Sequence, residues 1–111
     1  MLRRFAAGLL AALLVAGAPA SAHAQETPIS QATEAWELGK LPQAGKLYEA
    51  ALAGGGLTPS DTLAAFVRVG AWRASLGKND LALNALRNAA IIDPAFECPT
   101  LGGPRVKQLC E

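Results

Sequence analysis

The side chains whose chemistry the sequence constrains most tightly are the only two cysteines, Cys98 and Cys110. Eleven residues, PTLGGPRVKQL, separate them. A zinc site usually needs four Cys or His ligands, and a thioredoxin-type redox centre has the spacing Cys-x-x-Cys at the start of a helix. The pair fits neither pattern. It predicts an intramolecular disulfide in an oxidising compartment, with a redox role or an intermolecular pairing as the alternatives.

Groups that could serve acid–base or nucleophilic catalysis are scarce. The only histidine, His23, belongs to the N-terminal segment described below. The run Gly54–Gly56 lacks the lysine-hydroxyl ending of a phosphate-binding loop. Three serines have no base nearby in the sequence: Ser30, Ser60 and Ser75. Three carboxylates lie on helix faces that we expect to be solvated: Glu34, Glu37 and Glu49. We therefore predict that the protein is not an enzyme and has no catalytic residue, cofactor or metal site.

The N-terminal segment has the three parts of a secretory signal peptide. Arg3-Arg4 gives a positive start, residues 5–18 form an uncharged Ala/Leu-rich run, and Ala22-His23-Ala24 is a small-x-small cleavage site. The apolar run is shorter than the ~20 residues that a membrane-spanning helix needs. We predict a signal peptide over residues 1–24, cleaved between Ala24 and Gln25, with cleavage two residues earlier as second choice. An uncleaved N-terminal anchor is the alternative.

Cleavage at this position changes the charge and the chemistry of the protein. Residues 25–111 keep eight Lys/Arg and nine Asp/Glu, which gives a net charge of −1, and they keep no histidine. A chain of this length forms one domain of modest stability. Since it is nearly neutral, it exerts no long-range attraction on nucleic acid or acidic membranes. We predict export to the bacterial periplasm, with neither nucleic acid nor, after cleavage, a membrane as partner.

Two stretches whose starts are 38 residues apart repeat one pattern: LGKLPQAGKLYEAAL from Leu38 and LGKNDLALNALRNAA from Leu76. Each carries an apolar stripe with the spacing of one helix face. The first stripe consists of Ala44, Leu47, Tyr48, Ala51 and Leu52. The second consists of Ala82, Ala85, Leu86, Ala89 and Ile92. Gly39 and Gly77 precede the stripes and suit the left-handed position after a helix end. Each stripe is therefore predicted to be the second helix of a hairpin.

The first helices of the two hairpins are predicted over 29–38 and 60–76. Thr58-Pro59-Ser60-Asp61 is a start signal, because Thr caps a helix, Pro suits its first position and Asp suits its first turn. We expect one face of the later helix to hold Leu63, Phe66, Val67, Gly70 and Ala74. The small residues that would let neighbouring helices approach closely are Ala32, Ala44, Ala51, Gly70, Ala82 and Ala89.

About three repeats are usually needed for a stable array. An array of only two hairpins therefore needs a further element to cover the apolar surface at its end. We expect residues 97–111 to cover it. Pro104 suits the first turn of a short helix, with Val106, Leu109 and Cys110 on one face. The disulfide would tie this capping helix to the preceding loop, and closing a loop of about 13 residues stabilises a fold by roughly 3 kcal/mol.

The repeat resembles the tetratricopeptide repeat family, whose units are helical hairpins of about 34 residues. The second repeat matches that pattern at Phe66, Val69, Gly70, Gly77, Ala82, Leu86, Ala89 and Pro94. The first matches at Ala32, Gly39, Leu41, Ala44, Tyr48 and Ala51. It departs at Pro28, where the family favours an aromatic residue, and the Gly-rich loop at 54–60 would hold about four extra residues. The resemblance covers roughly 28–95.

The resemblance implies a concave, peptide-holding groove lined by the first helices. The implied partner-binding candidates are Trp36, Arg68, Trp72 and Arg73. The alternatives are a core role for the tryptophans, since aromatic residues at helical spacing usually pack, and a solvated face for the arginines. The family's clamp for C-terminal carboxylates uses Lys and Asn. This chain replaces them with Ile29, Thr33, Val67 and Ala71, so we do not expect that clamp.

Together these observations predict an all-α fold. Two antiparallel, tetratricopeptide-like hairpins, at about 28–56 and 60–95, would fill residues 25–96, and 97–111 would form a disulfide-linked C-terminal cap. The predicted function is that of an exported protein–protein interaction or scaffold module with a protein or peptide as partner. The alternatives are a thiol–disulfide redox protein that uses Cys98 and Cys110, and a membrane-tethered structural subunit that keeps its signal. The oligomeric state is left open.

Overall fold

The computed structural model describes residues 27–111, which form five helices and no strand. The helices are α1 (Pro28–Glu37), α2 (Leu41–Gly54), α3 (Pro59–Ser75), α4 (Asn79–Ile92) and α5 (Pro104–Cys110). The predicted all-α class is confirmed. The predicted signal peptide and its cleavage site at Ala24 and Gln25 lie outside the described residues. Within the described part of the chain, no helix combines the length and the apolar character that crossing a membrane requires.

The two hairpin turns have the same backbone structure. Gly39 and Gly77 follow α1 and α3 with φ of +76° and +77°. The N–H of Lys40 donates to the C=O of Ala35 at 2.9 Å, and the N–H of Lys78 donates to the C=O of Arg73 at 3.0 Å. These bonds satisfy carbonyls that a helix end leaves without a partner, and they reverse the chain direction. The left-handed glycines that the sequence predicts are therefore present in both hairpins.

Both hairpins also begin in the same way. Thr58 Oγ1 accepts a hydrogen bond from the N–H of Asp61 at 3.1 Å, and Pro59 is the first residue of α3, as the sequence predicts. Thr27 caps α1 through the N–H of Ser30 at 3.3 Å. Each side-chain cap satisfies a donor at the helix start that would otherwise lack a partner.

Small side chains bring successive helices together, so that α2 packs between α1 and α3, and α3 packs against α4. The larger of two core clusters contains Ala32, Ala35, Ala44, Tyr48, Ala65, Val69 and Ala85. The smaller, which we call the second cluster, contains Ala71, Ala74, Ala82 and Val106. The predicted small contact residues, including Gly70, are all buried. Alanine and glycine therefore set the close helix spacing.

The central helix α3 buries more of its circumference than the single face that was predicted. Ala65, Val69 and Ala71 are buried, whereas Leu63 and Phe66 are only half-buried. The cause is that α3 contacts α2, α4 and α5 together. The prediction that Ile92 completes the α4 stripe is wrong: its side chain is 39% exposed, because α4 ends there and the backbone of Asp93 is extended.

The chain then runs back along the second hairpin to α5. Arg105 at the start of α5 donates to Asn79 Oδ1 at the start of α4, at 2.9 Å. Val106 is fully buried against α3 and α4, and Leu109 and Cys110 pack beside it, which is the predicted helix face. The Sγ atoms of Cys98 and Cys110 lie at disulfide distance, as the sequence predicts.

Candidate functional site

An open groove of about 620 Å³ runs along α3. We call it the α3 groove. Its floor is one face of α3, and its sides are formed by Trp36 from α1 and by the segment 93–101 that follows α4, which we call the wall. Three parts of the chain that are distant in sequence therefore form one concave surface.

Five residues of α3 form the floor of the groove: Ser60, Leu63, Ala64, Val67 and Arg68. Their spacing of three and four residues places them on one helix face. From Ser60 to Arg68 the floor extends about 12 Å at 1.5 Å per residue. Its middle is apolar, and its half-buried side chains Leu63 and Ala64 leave apolar surface open to the groove.

The wall follows the direction of α3. Asp93 comes directly after α4, so it lies at the start of α3 in the antiparallel hairpin. Further along, the backbone of Gly102 passes Ala71 so closely that a Cβ at that position would lie 3.1 Å from the Ala71 carbonyl oxygen. The Cys98–Cys110 disulfide joins the middle of the wall to α5. Packing at one end and a covalent bond in the middle thus hold the wall in place.

A stacked and hydrogen-bonded network fixes Arg68 at the far end of the floor. Its Cζ atom lies 5.0 Å from the centre of the Trp36 ring and 5.6 Å from that of Tyr48. Its Nη1 donates to the hydroxyl of Tyr48, which lies 3.2 Å from Thr33 Oγ1. Thr33 in turn donates to the C=O of Ile29 at 2.9 Å. Since Thr33 uses its one hydroxyl proton on Ile29 and Arg68 is only a donor, the Tyr48 hydroxyl donates to Thr33, and the network links α1, α2 and α3.

The positive charge of Arg68 has no carboxylate partner within residues 27–111, where the one ion pair joins Arg73 and Glu49. Asp93 and Glu97 line the same groove, but neither pairs with Arg68. Asp93 instead accepts from the N–H of Ala95 at 2.9 Å. Among the described residues, the groove therefore has an unpaired cation beside Trp36 and two carboxylates in the wall.

The other two partner-binding candidates lie away from the groove. Arg73 Nη2 is 3.0 Å from Glu49 Oε2, so its charge is matched by α2. Trp72 covers Gly45 of α2, where a Cβ would come closer than 3.0 Å to three atoms of the indole ring. The structure thus brings Trp36 and Arg68 together in the α3 groove and places Trp72 and Arg73 between α2 and α3.

Two of the serines singled out in the sequence donate to backbone carbonyls: Ser30 to Thr27 and Ser75 to Trp72. In the described part of the chain, no group of three or more His, Cys, Asp or Glu side chains lies together in a way that could hold a metal ion. Cys98 and Cys110 are half-buried and pack against the second cluster. Of the positions where the family's carboxylate clamp would lie, Ala71 is buried and Thr33 belongs to the Tyr48 network.

Two parts of the site were not predicted from the sequence. The first is the wall at 93–101, although Pro94 and Pro99 signal a non-helical, extended segment. The second is the polar role of Tyr48, which the apolar stripe predicted only as a core residue. A buried tyrosine hydroxyl usually needs a hydrogen-bond partner. This rule predicts a polar neighbour for Tyr48 but does not identify it as Arg68.

Comparison with known proteins finds no match among protein-family models, curated proteins or solved structures.

Proposed function

We propose that this protein is an exported interaction module that holds an extended segment of a partner protein in the α3 groove. The observation that carries the proposal is the groove itself: a floor about 12 Å long with an apolar middle, between Trp36 and a wall held by a disulfide. An extended peptide advances about 3.3 Å per residue, so about four residues match the floor. A preformed groove binds such a segment without first ordering its own walls, which favours affinity.

The proposal includes the repeat type and the location. We infer that the two hairpins are tetratricopeptide-like, which their identical glycine turns and threonine caps support. We further propose a periplasmic location after signal cleavage, since a disulfide persists in an oxidising compartment. The proposal assigns no enzymatic activity to the chain. It gives the Cys98–Cys110 bond a structural role, because both side chains pack against the second cluster.

Site-specific photo-crosslinking tests the proposed function. A photoreactive amino acid replaces Ala64 on the groove floor in one variant and Asn84 on the exposed surface of α4 in a matched control. After irradiation in the intact periplasm, the attached peptide is identified by mass spectrometry. We expect one contiguous partner segment at Ala64 and none at Asn84. Equal labelling from both positions, or none from either, would contradict the proposal.

A further inference from the structure

We propose that the α3 groove selects peptides that carry an acidic side chain, whose carboxylate binds Arg68. This inference rests on the proposed function and adds the chemical class of the partner segment. It concerns an acidic side chain and not a chain terminus, because Ile29, Thr33, Val67 and Ala71 replace the Lys and Asn of a clamp for C-terminal carboxylates.

The geometry of Arg68 prepares it for a carboxylate. A guanidinium carries five N–H donors in one plane, and one contact to a protein acceptor, the Tyr48 hydroxyl, engages Nη1. The rings of Trp36 and Tyr48 hold the plane in position. Because the side chain is already ordered, a carboxylate can form two parallel hydrogen bonds with little further loss of side-chain entropy.

The charges around Arg68 also favour a carboxylate as its ligand. Arg68 is half-buried and has no ion-pair partner among the described residues, so a bound carboxylate would add a charge pair without displacing an existing one. Arg73, five residues later on α3, differs in this respect because Glu49 already pairs with it. Of the two arginines on α3, the one without an ion pair in the described part of the chain is therefore the one that lines the groove.

The residues of the groove floor also predict which type of peptide side chain lies next to the acidic one. Leu63 is five residues before Arg68, which is about 7.5 Å along the helix. In an extended peptide, side chains two positions apart point to the same side and are about 6.6 Å apart. We therefore expect an apolar residue two positions from the acidic one. A second acid near the start of α3 is disfavoured, since Asp93 lines the wall there.

The first experiment uses a phage-displayed library of random 12-residue peptides as the probe. The mature, disulfide-bonded protein is panned in parallel with Arg68→Gln and with the control Arg87→Gln, which removes a charge from the exposed surface of α4. We expect Asp or Glu to be enriched at one position, two residues from an apolar one, with the wild type and with Arg87→Gln. This enrichment should disappear with Arg68→Gln.

The second experiment leaves the protein unchanged, so it does not depend on the folding of a variant. In the strongest selected peptide, the acidic residue is replaced by its amide, and binding to the wild type is measured by calorimetry. Hydrogen bonds to charged groups contribute enough that we expect binding to weaken by about ten- to a hundredfold. The same replacement should have no effect on binding to Arg68→Gln.

The outcomes separate this inference from the proposed function. A groove-filling variant, Ala64→Trp, should abolish binding of every selected peptide. Suppose that Ala64→Trp abolishes binding but the selected peptides show no acidic preference, or the amide peptide binds as tightly as the acidic one. The proposed role of Arg68 is then wrong, and the proposed function of the groove stands. If no selected peptide depends on Ala64, both proposals are wrong.

Discussion

The contact between Trp72 and Gly45 makes the close approach of α2 and α3 directly testable by the substitution Gly45→Ala. A Cβ at Gly45 would lie closer than 3.0 Å to three indole atoms of Trp72, which are part of a rigid ring and not the end of a flexible side chain. Gly54, the last residue of the same helix, has no neighbouring atom within 4 Å of such a Cβ. The two glycines therefore form a matched pair.

The expected change in the free energy of unfolding combines two opposing effects. Alanine is favoured over glycine in a helix interior by about 1 kcal/mol, and this effect should raise the stability of Gly54→Ala by up to that amount. Overpacking of a core contact costs about 1–3 kcal/mol, and the rigid indole places Gly45→Ala near the upper end. We expect Gly45→Ala to lower the free energy of unfolding by about 1–2 kcal/mol, which corresponds to a fall in Tm of roughly 5–15 °C for a domain of this size.

The assay is thermal and urea unfolding of both variants by circular dichroism, repeated in a Trp72→Leu background. Without the indole ring, Gly45→Ala should lose its penalty and behave like Gly54→Ala. If Gly45→Ala is as stable as Gly54→Ala in the presence of Trp72, the ring does not cover Gly45, and the described packing of α2 on α3 is wrong.

Three further predictions concern the disulfide, the buried network and the N-terminus. Replacing Cys98 and Cys110 by serine should lower the free energy of unfolding by roughly 3 kcal/mol in urea titrations, and a loss below about 0.5 kcal/mol would contradict a structural role. Tyr48→Phe removes the acceptor of Arg68 and the donor to Thr33, so it should cost about 1–3 kcal/mol; an unchanged urea midpoint would show that the network is not formed. N-terminal sequencing of the exported protein should begin at Gln25, and a start at Met1 would instead support the retained anchor.

The parts of the fold that could be predicted are those with local causes. Thr58 and Pro59 mark the start of α3, and Gly77 marks the turn after it, because a cap and a left-handed turn depend on a few adjacent residues. The same signal, Thr27-Pro28, sets the start of α1 one residue before the predicted helix. The pairing of the cysteines was predictable because the chain offers no other partner.

The parts that could not be predicted depend on contacts between distant residues. The Tyr48 hydroxyl meets Arg68 twenty residues later, and no local pattern distinguishes this arginine from Arg73 on the same helix. Helical periodicity also identifies one apolar face, so it missed the burial of Val69 on a helix with neighbours on several sides. The wall of the groove follows from the position of α5, which only the folded hairpins determine.

The most direct test of the groove is a map of amide chemical shifts in the isotope-labelled mature protein during titration with a library-selected peptide. We predict that the largest changes occur at Leu63, Val67 and Phe96, which line the α3 groove, while the exposed Ile91 on α4 does not change. Changes centred on Ile91, with the α3 groove unaffected, would contradict the account.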